Sequence, residues 1–558
     1  MHADGPDNQP AHGDLLRSMI ARLSLFFRLE RDVFGLLTSY ALAIGLFALI
    51  VPLTVQELVN TFAFAIQPIM IVTLAAILVC SLLFVGAFKA LQFYAMEVLE
   101  RRLFARVALG LTQQFPRFRE ETFPPKYTNY FFETVLMQRA LSAITVDIIN
   151  VVVGGAVGMT ILVMYHPYFL LYNVLLVSGF AVVLTLLSQG GLRSTLAMSH
   201  AKYETFNWLQ EISGNLTHFK STVSAPLLLQ KTDEHVQTYV EARSSRFTIL
   251  MRQYMGSLGW QAVAHGGLIA TAGWLLSIGQ LTLGQFVAAE AIVGGLLVSF
   301  DGVVKRMGTV FYFFTALTEL DYLFSLPKDQ EIAKLTVPLP DPTIHGVRMT
   351  CRDLAFAYPG SAPIFDGFSM ELVPGEKVAI FSKNSTGKTT LARVLAGLYL
   401  PTSGVIRYNG VDIRDLDLES LNACRGLILD SQLSLFEGTL EENITVGRPG
   451  IPYTDLLWAL RFVEMEEEVD ALPMGLRTPV QAKGRGFTTS QTLRLLVARA
   501  IVTRPQLLIL DGTLHSMQPA VRDTILRRLC SKEEPWSLIF VSNDPALSTH
   551  VDRRLQLD

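Results

Sequence analysis

Six apolar stretches, each long enough to cross a lipid bilayer, constrain this chain more than any other feature. They cover about residues 34–59, 69–95, 146–165, 168–188, 253–277 and 283–304. A helix needs about 20 apolar residues to span the hydrocarbon layer, and only helices or closed barrels satisfy their own backbone there. Runs of this length read as helices. Composition points the same way: of 558 residues, 50% are hydrophobic and 17% charged, against about 25% charged in soluble domains. Disorder is excluded, because it needs low hydrophobicity and high net charge. The sequence predicts a membrane α-helical domain of six transmembrane helices embedded in the lipid bilayer.

The connections between these stretches alternate in character. The links near 61–68, 165–168 and 277–284 carry no Lys, Arg, Asp or Glu, whereas the links after the second and fourth stretches carry Arg101, Arg102, Arg106, Arg117 and Arg119, and Arg193, Lys202, Lys220, Lys231, Arg243 and Arg246. Basic loops stay on the cytoplasmic side, so both termini are expected there and the tight turns outside. The two basic links are rich in helix formers and are expected to prolong the spans as helices beyond the membrane. In the first, the aromatic run Phe115, Phe118, Phe123, Tyr127, Tyr130, Phe131 and Phe132 reads either as a coupling contact or as packing within that extension. Lys plus Arg total 46 and Asp plus Glu 49, a balance that excludes a nucleic-acid binder driven by counterion release. Cys80, Cys351, Cys424 and Cys530 lie too far apart for a disulfide framework or a zinc ribbon.

After the sixth stretch the composition shifts. Residues 326–346 hold Pro327, Pro338, Pro340 and Pro342, which cannot sit inside a helix, and read as a linker. The resulting division is a cytoplasmic segment 1–32, a membrane domain 33–325, the linker 326–346 and a C-terminal domain 347–558. In the last, short apolar runs such as LLILD and SLIFVS alternate with helical stretches, the mark of an α/β domain. There the strand-like KVAIF leads into SKNSTGKTT and an amphipathic helix. This matches the phosphate-loop pattern GxxxxGK[ST], with Ser382 in place of the first glycine. Such a loop wraps phosphates in backbone N–H groups at a helix N-terminus. Lys388 would reach the β- and γ-phosphates and Thr389 would hold Mg²⁺.

Together with FAYPG, DSQLSLFEGTLEENI and LLVARAIVTRPQLLILD, this loop resembles that of an ABC exporter half-transporter, in which the membrane domain is fused ahead of a P-loop NTPase (ABC) domain. The likeness covers roughly 20–558 and is nearest the type I secretion and peptide-exporting branch. It implies ATP and Mg²⁺ as cofactors. By that likeness Tyr358 stacks on adenine, and Ser382, Asn384, Ser385, Thr386, Gly387, Lys388, Thr389 and Thr390 surround the phosphates. Gln432 and Asp511 join Thr389 around Mg²⁺, and Phe487, Thr488, Thr489, Ser490 and Gln491 form the signature that faces the other subunit's nucleotide.

The departures carry as much information as the matches. Gly512 replaces the family's catalytic glutamate and Asn543 its switch histidine; FTTSQ replaces LSGGQ, HSMQ replaces the D-loop SALD, and Ala482 stands for an acidic residue. Hydrolysis rests on positioning and charge stabilisation, and losing one positioned group costs orders of magnitude. Asp544 and His515 are the nearest stand-ins. The sequence thus predicts a subunit that binds ATP and hydrolyses it poorly or not at all, beside a catalytically intact ABC half-transporter. A homodimeric type I secretion-like transporter with slow hydrolysis and a nucleotide-sensing membrane scaffold remain open alternatives. The resemblance places the chain in a bacterial inner membrane, where a periplasmic adaptor and an outer-membrane channel are potential further partners. Within the spans, Glu290 is a candidate for the substrate path or for a neutral packing role, since an intramembrane carboxylate is costly. His265 reads as a core histidine or its neighbour, set about 7 Å along the helix axis from Glu290 by a tight hairpin.

Overall fold

A computed structural model of the chain describes residues 28, 30–62, 68–118, 125–222, 225–328, 337–339, 346–382, 387–429, 434–544, 547 and 549–557. Two compact units emerge. The described residues up to Pro116 and from Pro125 to Leu326 form the first; Arg117, Phe118 and those from Pro327 onward form the second.

The first unit is helical. Its elements are α1 (Arg31–Ala48), α2 (Ile50–Phe62), α3 (Pro68–Gln114), α4 (Glu133–Tyr165), α5 (Tyr168–Thr185), α6 (Gly191–Gly214), α7 (Ala225–Ser277), α8 (Leu283–Lys305) and α9 (Met307–Ser325). Pro52 lacks the N–H that would bond the carbonyl of Ala48, and the first span breaks there into α1 and α2. The 47 residues of α3 and the 53 of α7 make rods of about 70 and 80 Å, much longer than a bilayer is thick, so both basic links do continue as helix. Five helical segments are long and apolar enough to cross a membrane: Arg31–Thr61, Pro68–Arg117, Thr128–Tyr165, Tyr168–Thr185 and Leu283–Lys305. The remaining expected span, 253–277, is the C-terminal half of α7. Gln253, Ser257, Gln261 and His265 dilute its apolarity, and it falls outside that group.

Small residues set the helix crossings, as in other membrane proteins. A Cβ on Gly45 of α1 would lie 3.3 Å from the Cα of Gly154 of α4, and one on Gly179 of α5 would lie 2.0 Å from the Trp260 ring of α7. Toward the basic links the packing turns polar. Glu30 pairs with Arg106 and, at 3.7 Å, with Arg102. Glu133 of α4 is buried, bonded by Lys202 of α6 and by the Tyr203 hydroxyl at 2.6 Å. Glu319 of α9 is buried in the same place. From the aromatic run, Tyr130 meets Tyr203 edge-on at 4.8 Å and Phe131 meets Phe104 at 5.6 Å, which is packing within the extension.

The second unit has two principal sheets. Strands β1 (Met349–Phe356), β2 (Phe365–Leu372), β4 (Ser403–Tyr408) and β5 (Val411–Asp412) make an antiparallel sheet in the order β2-β1-β4-β5. Strands β3 (Lys377–Ser382), β6 (Arg425–Ile428), β9 (Leu507–Asp511), β10 (Ser537–Val541) and β11 (Arg553–Leu557) make a parallel sheet in the order β11-β3-β10-β9-β6. A third, two-stranded pairing joins β7 (Gly438–Thr439) to β8 (Pro479–Val480). Strands β9 and β10 are buried along their whole length, as expected of parallel strands covered on both faces. The helices used below are α10 (Lys388–Leu395), α11 (Leu440–Thr445), α12 (Tyr453–Phe462), α13 (Thr489–Ile501) and α14 (Pro519–Leu529).

Candidate functional site

The parallel register assembles the candidate nucleotide site. Val541 of β10 pairs with Ile380 of β3 and with Asp511 of β9, so Ser382, Asp511, Gly512 and Asn543 gather at one carboxyl edge. That edge of an open α/β sheet is where ligands bind. Gly387 takes a φ of +91° and hands the chain into α10, which opens on Lys388, Thr389 and Thr390. A Cβ there would sit 3.1 Å from Ile364, so glycine serves both the turn and the close approach. An ammonium, a hydroxyl and a buried carboxylate (Lys388, Thr389, Asp511) form a donor set that suits a magnesium-bound phosphate chain. Asn384, Ser385, Thr386 and Gln432 lie outside the described residues.

Tyr358 is half-buried and its hydroxyl lies 3.3 Å from that of Thr390. Phe356 meets it edge-on at 5.2 Å and Tyr399 at 6.2 Å. It belongs to an aromatic cluster beside the first turn of α10.

The positions read as degenerate have their own local partners. The side-chain oxygen of Asn543 accepts the backbone N–H of Ser382 at 3.1 Å, so the residue read as standing for the switch histidine is bonded to the one read as standing for the first loop glycine. Gly512 has a φ of +64° and donates its N–H to the Val541 carbonyl at 3.0 Å. Asp544, one of the two potential stand-ins, lies 3.6 Å from Arg522 of α14 in an ion pair of its own. The side chain of His515, the other, is outside the described residues. Neither the Asn543 bond nor the Arg522 pair was foreshadowed by any motif.

At the signature, Thr488 caps α13. Its hydroxyl accepts the N–H of Gln491 at 3.2 Å while the Gln491 side chain accepts the N–H of Thr488 at 2.9 Å, a reciprocal capping box. The same hydroxyl donates to Gln491 Oε1 at 3.1 Å. This hydroxyl, the one the family likeness aims at a neighbour's phosphate, is therefore engaged within its own helix start. Gln491 also reaches Glu468 at 2.8 Å. Phe487 packs against the core beneath, and Thr489 is exposed beside half-buried Ser490. Further in, Arg499 of α13 bonds the carbonyl and side chain of Asn443 in α11, at 2.6 and 3.0 Å.

In the membrane unit the structure corrects one expectation. His265 and Glu290 are not separated along the axis: His265 Nδ1 lies 3.3 Å from Glu290 Oε1. The connection Ile278–Thr282, with Gly279 at a φ of +73°, joins the two helices. The Tyr172 hydroxyl donates to the carbonyl of Ala264 at 3.0 Å, next to His265. Gln253, Ser257, Gln261 and His265 recur every fourth residue and so share one face of α7. That spacing was visible in the sequence and would have flagged the site.

A phosphate-binding edge on an α/β sheet, carried behind a bundle of membrane-length helices, defines a membrane protein with a nucleotide-binding domain. Residues 365–515 match the ABC transporter family model, so this stretch is an ABC transporter domain, and the helical unit precedes it in the chain. It is 29% identical over 279 residues to a fatty acid ABC transporter ATP-binding/permease protein of Mycobacterium bovis, covering 50% of this chain and 42% of that protein. It is 25% identical over 428 residues to the mycobactin import ATP-binding/permease protein IrtB of Mycolicibacterium thermoresistibile, covering 74% and 71%. To the leukotoxin translocation ATP-binding protein LktB of Mannheimia haemolytica it is 24% identical over 360 residues, covering 63% and 49%. The chain thus spans less than half the length of two of these three relatives. A solved bacterial Atm1-family ABC exporter with ATP bound shares the fold, with a TM-score of 0.83 at 19% identity over 95% of this chain and 94% of that one.

Proposed function

We propose that this chain is the nucleotide-binding, poorly hydrolytic half of a dimeric ABC exporter, working beside a catalytically intact ABC subunit in a bacterial inner membrane with both termini in the cytoplasm. ATP and Mg²⁺ are its ligands, held by Lys388, Thr389, Asp511 and Tyr358 with the loop residues Asn384, Ser385, Thr386 and Gln432. One observation carries the reading. The edge that would hold the nucleotide keeps its binding groups, while the positions that would activate water are a left-handed glycine, Gly512, and an amide committed to Ser382. ATP binding then supplies interaction energy to the dimer, and the chemistry falls to the partner. The functional boundaries follow the sequence division, with 1–32 preceding a membrane domain 33–325, a linker 326–346 and an ABC domain 347–558. Glu290 and His265 belong to the cargo path. A periplasmic adaptor and an outer-membrane channel complete the route if the cargo leaves the cell in one step.

The test is to purify the full chain in lipid nanodiscs and measure Mg-ATP binding and phosphate release separately. Wild type binds ATP; Lys388→Ala binds about tenfold more weakly or worse, a loss of about 1.4 kcal/mol. Phosphate release stays near background, far below the roughly 1 s⁻¹ and above typical of enzymes. Turnover at that ordinary rate by the lone chain would overturn the reading.

A further inference from the structure

We propose that Glu290, His265 and Tyr172 form a cargo site that accepts a guanidinium or ammonium group. The inference rests on the exporter reading above and names the chemical class that its membrane path would take.

The first argument is charge. Two other carboxylates near the ends of the spans have fixed cations: Asp147 is paired with Arg306, and Asp301 with Lys305 at 2.6 Å. Among the described residues Glu290 has His265 alone as its ion-pair partner. Its other oxygen, Oε2, is buried without a hydrogen-bond partner, and leaving such an acceptor unmatched is costly. A functional ligand is the default explanation for a carboxylate at this depth.

The second argument is the sense of the hydrogen bonds. The Tyr172 hydroxyl donates its proton to the Ala264 carbonyl at 3.0 Å, next to His265 in the chain, so it has no proton left for the carboxylate. His265 Nδ1 lies against Glu290 Oε1 at 3.3 Å, which leaves Oε2 without a donor. The carboxylate is an acceptor only, and the phenol's one donor is taken. Guanidinium and ammonium groups are donor-only partners, and charge-assisted hydrogen bonds are the strong ones.

The third argument is access. The His265 and Glu290 side chains each keep 41% exposure. A carboxylate facing hydrocarbon is expensive, so this open side faces a water-filled path or a second protomer. The polar row continues from His265 through Gln261, Ser257 and Gln253, with Gln261 bonded to Ser257 at 3.0 Å. It extends about 18 Å along α7. Gln253 Oε1, fully buried at its far end, is again an acceptor without a donor.

The test uses the full chain in phosphatidylcholine nanodiscs and titrates agmatine, which carries both cationic groups, by calorimetry, with glutathione as an anionic comparison. Wild type binds agmatine saturably and in preference to glutathione. Glu290→Gln weakens agmatine binding about tenfold or more, and His265→Lys does the same because its ammonium occupies the carboxylate. ATP binding persists in both variants, which shows that they are folded and keeps this result separate from the nucleotide reading. Equal agmatine binding by wild type and both variants overturns the proposal, as does wild type that binds glutathione and not agmatine. Intact agmatine binding with no ATP binding would instead sink the exporter reading and leave the cation site standing.

Discussion

Gly512 sits in the left-handed region, at a φ of +64°, with its N–H tied to Val541. A glutamate placed there has to accept that backbone, at about 1–2 kcal/mol, or pull the turn away from β10. Restoring the missing side chain is therefore not enough to restore chemistry. Gly512→Glu is expected to leave phosphate release near the wild-type level while lowering stability by about 1 kcal/mol in a denaturant titration. A gain of about a hundredfold in release, the size of effect one positioned group gives, would contradict this. At this scale the sequence was legible wherever a motif concentrates chemistry in a few consecutive residues, as at Lys388, Thr389 and Asp511. It was illegible where partners are remote: Ser382 and Asn543 are 161 positions apart, and nothing in either neighbourhood announces the bond.

Helices α4, α6 and α9 meet around two buried carboxylates, Glu133 and Glu319, with Lys202 and Tyr203 between them. Burial first, and then the neighbouring Glu133, push the Glu319 carboxyl up to about 8 from its ordinary 4.5. The same burial and the Glu133 charge raise the Tyr203 phenol, which keeps its proton for Glu133. The folded protein thus holds a proton on Glu319 that the unfolded chain releases above 4.5. The stabilisation is complete below 4.5 and is lost as pH rises through 8. Thermal unfolding of the nanodisc-held protein should shift to lower temperature between pH 5 and 8.5, and Glu319→Gln should flatten that slope; parallel slopes in the two proteins would rule the arrangement out. The extension of α3 and α7 beyond the membrane was readable from basic, helix-forming links. The meeting of three helices on paired acids was not, because each glutamate alone looks like an ordinary surface residue. Nor was the contact between His265 and Glu290, which lie on different helices.

The order of the two units was plain from composition, since an apolar half gives way to alternating short strands and helices. A single sequence carries no comparable record of a partner or a cargo. The relatives are named for fatty acid, mycobactin and leukotoxin, three unlike chemistries. With an intact ABC subunit supplying the working site, Lys388→Ala weakens the dimer but removes no group from that site, and should lower the phosphate release of the complex only slightly. Ser490→Arg, which forces bulk into the signature opposite the partner's nucleotide, should lower it about tenfold or more. The reverse pattern would mean that this chain runs the reaction. Asn543 adds one last point about how such a pair behaves over time. Its amide oxygen is held by the main chain at 382, which leaves only uncharged N–H donors to meet a terminal phosphate, and such bonds are weaker than charge-assisted ones. A detector that registers spent fuel only faintly is slow to let go when fuel is spent, and this half of the machine would stay clasped through many strokes of the other.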